Sequence, residues 1–151
     1  MSTDNGITLT AAEFDPSIHD GEITLTSPRT GEHRTFRIKT IHREGHDLDG
    51  KRTLALLTGP DNGGDYTNFA FINPTDDGGC RIAVYKKFRG DGEAPSLWER
   101  YAGMIQNPRY WAGRGVEYLV AARCRRCGKL LTHDVSIKDG YGPECRRKLG
   151  R

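Results

Sequence analysis

Apolar and polar residues alternate in short runs through the first part of this chain, and that alternation predicts strands. Residues 22–26 place Ile23 and Leu25 on one face. Residues 34–42 place Phe36 and Ile38 on one face and Arg37 and Lys39 on the other. Residues 52–57 are rich in leucine and read as a buried strand. Runs at 66–72 and 81–88 complete a set of five strands at nearly even spacing. Turn chemistry separates them: Ser27-Pro28-Arg29-Thr30-Gly31, the polar loop 45–50, the Gly/Asp-rich loop 59–65 and the loop 73–79. Such a series predicts an antiparallel sheet or a small barrel.

The period then changes. Leu97, Trp98, Tyr101, Met104 and Ile105 recur at helical spacing, and Ser96 with Glu99 forms a capping-box pattern. This predicts a helix over 95–106 that covers one face of the sheet. Asn107-Pro108 ends it, and 108–112 predict one further turn carrying Tyr110 and Trp111. Residues 116–122 predict a strand. The expected fold class is therefore α+β, with a flexible N-terminal arm over 1–20, a β-rich domain over 21–115 and a C-terminal module over 116–151. Leu9 and Phe14 are the arm's candidates for packing on the domain. No linker precedes Cys124, so the module is expected to dock on the β domain.

Candidate chemistry concentrates in that module. Cys124-Arg125-Arg126-Cys127-Gly128 has the form of a metal knuckle, in which backbone amides of a tight turn point at both sulfurs. Cys145 follows Gly140-Tyr141-Gly142-Pro143, and Pro143 suits the first turn of a helix. Knuckle, hairpin and a cysteine on a helix start is the order of a treble-clef zinc site. A fourth donor is needed for tetrahedral Zn2+. His133, between knuckle and helix, is the first candidate; Cys80 is the second, and Asp134 or Asp139 could supply oxygen. The alternatives are a redox pair or plain buried cysteines, although Gly128 suits a knuckle better than a redox helix.

The segment resembles a small cysteine-rich zinc-binding domain of unknown function found in actinobacterial and phage proteins. The resemblance rests on Cys124 to Gly128, Leu131-Thr132, Ser136-Ile137 and Gly140 to Cys145, and so covers about the last thirty residues. Residues 56–66 are similar to the segment that precedes this domain in phage proteins. The resemblance implies a zinc-binding role for Cys124, Cys127 and Cys145, and implies no reaction.

Charge sharpens the picture. The whole chain of 151 residues carries a formal net charge of +3. Residues 114–151 hold ten Lys/Arg against four Asp/Glu, while the preceding residues are net acidic. A cationic metal module beside a mildly acidic domain suits a polyanion. The expected phosphate contacts are Arg123, Arg125, Arg126, Lys129, Arg146, Arg147 and Lys148. On the strand 81–88, Tyr85 and Lys87 share a face with Arg81 and Arg89, where bases could stack and phosphates pair. Arg37, Lys39 and Arg43 would extend that surface if their strand lies near.

Several classes drop out. There is no nucleophile elbow, no dinucleotide fingerprint and no P-loop. A closed zinc site offers no position for water, so catalysis is not expected unless the site is incomplete, as in a nuclease. No small-molecule cofactor is expected. Nothing resembles a signal peptide or a membrane span, which gives an expectation of a cytoplasmic protein with reduced thiols. The leading expectation is a non-enzymatic, zinc-stabilised protein that contacts nucleic acid; the alternative is a phage accessory protein that binds and modulates a host protein.

Overall fold

The computed structural model describes residues 8–60, 64–131 and 140–148. Seven strands form one antiparallel sheet: β1 (Thr8–Leu9), β2 (Asp20–Thr26), β3 (His33–Thr40), β4 (Arg52–Leu57), β5 (Tyr66–Pro74), β6 (Cys80–Val84) and β7 (Glu117–Arg123). Their spatial order is β1-β7-β2-β3-β4-β5-β6. Strands β2 to β6 form a meander, as their turn sequences require. The order has two ends and the described pairings do not close it, so the sheet is open rather than a barrel.

Pleat alternation divides the sheet into two faces. One carries Ile23, Phe36, Ile38, Leu54, Ile72, Ile82 and Val120, all buried. Helix α1 (Leu97–Gln106) lies across it. The Tyr101 ring meets Phe36 at 5.2 Å, and Trp98 meets Phe69 at 4.9 Å and Phe88 at 4.6 Å. Such aromatic pairs add about 0.5–1.5 kcal/mol each beyond the area they bury. Ser96 caps α1: its hydroxyl accepts from the Glu99 N–H, and the Glu99 carboxylate accepts from the Ser96 N–H. A short α2 (Pro108–Ala112) follows and turns the chain back into β7.

Three differences from the sequence expectation bear on the site. First, residues 8–20 are folded against the body. Leu9 pairs with Val120 of β7, and Leu9 and Phe14, the arm's two packing candidates, are buried; the difference lies in how much of the arm is held. The Arg52 guanidinium holds this arm: it donates to the carbonyls of Pro16 and His19 and pairs with Asp20 at 2.9 Å. Second, β7 sits between β1 and β2, so the boundary expected at residue 116 cuts through the sheet. Third, the strand expected over 81–88 ends at Val84 and gives way to a 3-10 turn, Lys86–Phe88. A 3-10 turn does not alternate faces, so Lys87 is not placed on the sheet face by the pleat.

Candidate metal centre

The candidate metal centre is a cysteine cluster built from the end of β7 and the start of α3 (Pro143–Lys148). Cys124 follows directly on β7 and is buried. The chain then reverses: the Gly128 N–H donates to the Cys124 carbonyl at 3.0 Å, and the Cys124 N–H donates to the Lys129 carbonyl at 2.8 Å. Gly128 has φ +81°, a left-handed conformation that a side chain would strain. Leu131 continues the reversal by donating to the Ala122 carbonyl at 3.0 Å, which pins the knuckle to the sheet. Arg125 donates its backbone N–H to Gly140, bringing in the chain that leads to α3. Cys145 is the third residue of α3 and is buried; Cys127 is exposed.

The sulfurs of Cys124, Cys127 and Cys145 lie within 4.8 Å of one another, and none forms a disulfide. Four donors at about 2.3 Å around a tetrahedral ion stand roughly 3.8 Å apart, so the three thiols fit a metal ion after small adjustments. Their electrostatics agree. Burial pushes the Cys124 thiol up, but the backbone N–H groups of Cys127, Gly142 and Arg126 outweigh it and bring it down to about 7. The Arg126 N–H stands 3.4 Å from that sulfur. Burial raises the Cys127 thiol, and the neighbouring Cys145 and Cys124 sulfurs raise it further. One thiolate is thus favoured without metal, and a cation would relieve the mutual repulsion of all three.

Cys80 is not in the cluster; it opens β6, in a half-buried position beside Ser17 and Arg52. That corrects its candidacy as fourth ligand: although Cys80 and Arg125 line one small cavity, the Cys80 sulfur does not join the three that lie within 4.8 Å of one another. His133, Asp134 and Asp139 fall in 132–139, outside the described residues.

The expected basic residues divide. Arg126, Lys129, Arg147 and Lys148 are exposed around the cluster, as is Arg146. Arg123 is committed elsewhere: its Nε pairs with Glu22 at 2.7 Å and its Nη1 donates to the Gly128 carbonyl. Arg125 lies half-buried with its guanidinium over the Tyr141 ring. Arg147 makes only a loose, exposed contact with Glu144 at 4.0 Å. Tyr85 packs on Phe71 at 5.0 Å, and Lys87 lies over Phe88.

The sheet face opposite α1 carries Arg37 and Lys39, the pair that alternation set apart from Phe36 and Ile38, and register adds Glu22, Thr53, Phe71 and Ala83, which local patterns did not pick out. Arg37 sits 4.1 Å over the Tyr66 ring. His42 reaches from the β3–β4 loop to the Arg125 carbonyl at 2.8 Å, joining this face to the knuckle. A concavity of about 300 Å³ runs between knuckle and β3, lined by Arg37, Lys39, His42 and Arg126. A second of about 580 Å³ shares Arg37, Lys39 and His42 with it and continues to Arg43, Phe71 and Tyr85. Phe69 and Phe71 share parity and would be read onto one face; the irregular register between Leu54 and Ala55, opposite this part of β5, separates them, burying Phe69 against α1 and leaving Phe71 on the other face.

Residues 121–150 match a protein family described only as a family of unknown function (DUF6011). No curated protein and no solved structure matches the chain. Among the described residues no helix is long and apolar enough to cross a membrane.

Proposed function

We propose that the chain is a zinc-stabilised, non-enzymatic protein that binds single-stranded nucleic acid across its open sheet face and its cysteine module. Zinc is the metal because a compact thiolate set favours it, and Cys124, Cys127 and Cys145 hold it together with His133. Its task is structural: it fixes α3 against the end of β7, and with them the cations that the module carries.

The observation that carries the reading is the continuity of two concavities through Arg37, Lys39 and His42. Together they make a path from the knuckle to Tyr85. Among the described residues the side chains of Arg37, Lys39, Arg43 and Arg126 form no ion pair, although the Arg43 N–H donates to Asp49 and Arg126 Nη1 stands 3.7 Å from the Cys145 sulfur, whereas the acids of the path, Asp20 and Glu22, are paired with Arg52 and Arg123. Tyr66, Phe71 and Tyr85 supply rings beside those cations. Interleaved cations and rings suit an unpaired strand, whose bases stack while its phosphates pair.

The test is fluorescence anisotropy with labelled single-stranded DNA and RNA of about 12 nucleotides, a length matched to one small-domain site. Affinity should fall steeply with salt, at about 0.7 decades per decade of salt for each phosphate contacted. Arg37→Glu with Lys39→Glu, and separately Arg126→Glu with Lys129→Glu, should weaken binding and flatten the salt slope. Tyr85→Ala should weaken it by about 1–3 kcal/mol while leaving the slope unchanged. Binding unaltered by both charge reversals, or absent in the wild type, would refute the reading.

A further inference from the structure

On the covered side of the sheet, beyond the C-terminal half of α1, lies a separate cavity of about 450 Å³. Its volume falls in the range typical of small-molecule sites. Phe36 and Leu25 form its floor from the sheet, and Tyr101, Met104, Trp111 and Val116 wall it from the helices and the start of β7. Phe36 is fully buried, whereas Tyr101, Met104, Trp111 and Val116 are half-buried, so apolar and aromatic surface faces the opening. One end is shut by the β2–β3 turn, where the backbone of Gly115 comes so near Pro28 that a Cβ there would lie 3.0 Å from the proline ring.

The rim is strongly cationic. Arg29, Arg34 and Arg114 stand around it with a single carboxylate, Glu32. Among the described residues none of the three arginines has an ion pair. Arg34 donates one N–H to the neighbouring His33 carbonyl, and Arg114 lies 5.8 Å over the Tyr110 ring. All three are exposed cations at the rim of an aromatic-walled hollow. A guanidinium fork matches the planar oxygens of a carboxylate or phosphate, and the hollow beneath matches a flat apolar body.

We propose that this cavity binds a small aromatic anion: one or two rings inserted beside Trp111 and Tyr101, with a carboxylate or phosphate held by Arg34 and Arg114. The site is independent of the nucleic-acid face, because the sheet separates them.

The experiment titrates the full chain with indole-3-acetate, 3-methylindole and acetate, following the indole N–H resonance of Trp111 by NMR. Indole-3-acetate should bind saturably and shift that resonance, 3-methylindole should bind more weakly, and acetate should leave it unmoved. Charge-assisted hydrogen bonds support an advantage of about tenfold or more for the anion over the neutral ring. Arg34→Gln with Arg114→Gln should abolish that advantage and leave 3-methylindole unchanged; both residues are exposed, so the fold is not at stake. Equal binding of the two indoles, or no shift at Trp111 up to millimolar ligand, would overturn the proposal. Capture of an acidic aromatic peptide without any binding of the free acid would also overturn it, and would give the cavity to a protein partner instead.

Discussion

Arg52→Met would test how the N-terminal arm is held. Arg52 and Asp20 are each 6% exposed, and the pair sits where the arm enters β2. The guanidinium supplies the Asp20 carboxylate with an N–H from Nε at 2.9 Å, and supplies the Pro16 and His19 carbonyls with one each. Burial lowers the pKa of Arg52 and Asp20 opposes that shift, so the cation depends on its partner. Methionine fills similar space but donates nothing. Among the described residues Asp20 would keep the Thr40 hydroxyl, at 2.7 Å, as its side-chain donor, and the Pro16 and His19 carbonyls would lose theirs from Arg52. Removing one member of a buried, hydrogen-bonded ion pair costs about 3–5 kcal/mol. In a domain of this size each kcal/mol lowers Tm by about 2–4 °C, so a fall of about 6–20 °C is expected. Thermal unfolding followed by circular dichroism reads the total. Amide exchange reads the place: Ile18 and His19 donate to Asp15, and those amides should lose protection before the central strands do. A loss below about 1 kcal/mol for Arg52→Met, the size of an ordinary surface change, would refute the argument.

Three further predictions concern the module and the sheet. Cys127→Ser should release bound metal, read by elemental analysis, and loosen α3 while the sheet persists. Because the Cys124 thiol is lowered from 9.0 to about 7, its thiolate stabilises the metal-free fold above the unfolded value. That contribution is lost as pH falls through about 7, and metal affinity should weaken in the same direction; a metal titration flat between pH 8 and about 6 would contradict it. Gly21→Ala should break the β2–β7 ladder. Gly21 has φ +143°, and a Cβ there would lie 2.0 Å from the Ala121 carbonyl oxygen. Misfolded or insoluble protein is expected, and a soluble variant with unchanged Tm would refute the crowding.

Strand and helix identity was legible because Phe36, Ile38 and Ile82, and likewise Trp98, Tyr101 and Ile105, repeat at the period of their own element. The knuckle was legible for the same local reason, its residues being neighbours in sequence. Long-range placement was not legible. Thr8–Leu9 is too short to show a period, and only β7 makes it a strand. Arg52 opens a leucine-rich run as a polar residue, and its burial depends on acceptors at Pro16, His19 and Asp20. Arg123 belongs to a basic cluster by sequence, yet Glu22 on the adjacent strand engages it. Tyr85 packs on Phe71 at the open face, but Lys87 is not placed there by the pleat, because alternation ends at Val84 and Lys87 lies within the 3-10 turn.

The position of β7 has a consequence for grafting the cysteine segment into another protein. The family match begins at Ala121, inside a strand flanked by β1 and β2. A transplant of 121–150 would carry the last three residues of that strand without their neighbours. The recipient would have to offer an antiparallel edge with a glycine opposite Ala122, as Gly21 stands here, and a place where Leu131 can be buried. The portable unit therefore includes a matching edge on the host, and a chimera lacking one should bind metal with its sulfurs but leave the segment unanchored.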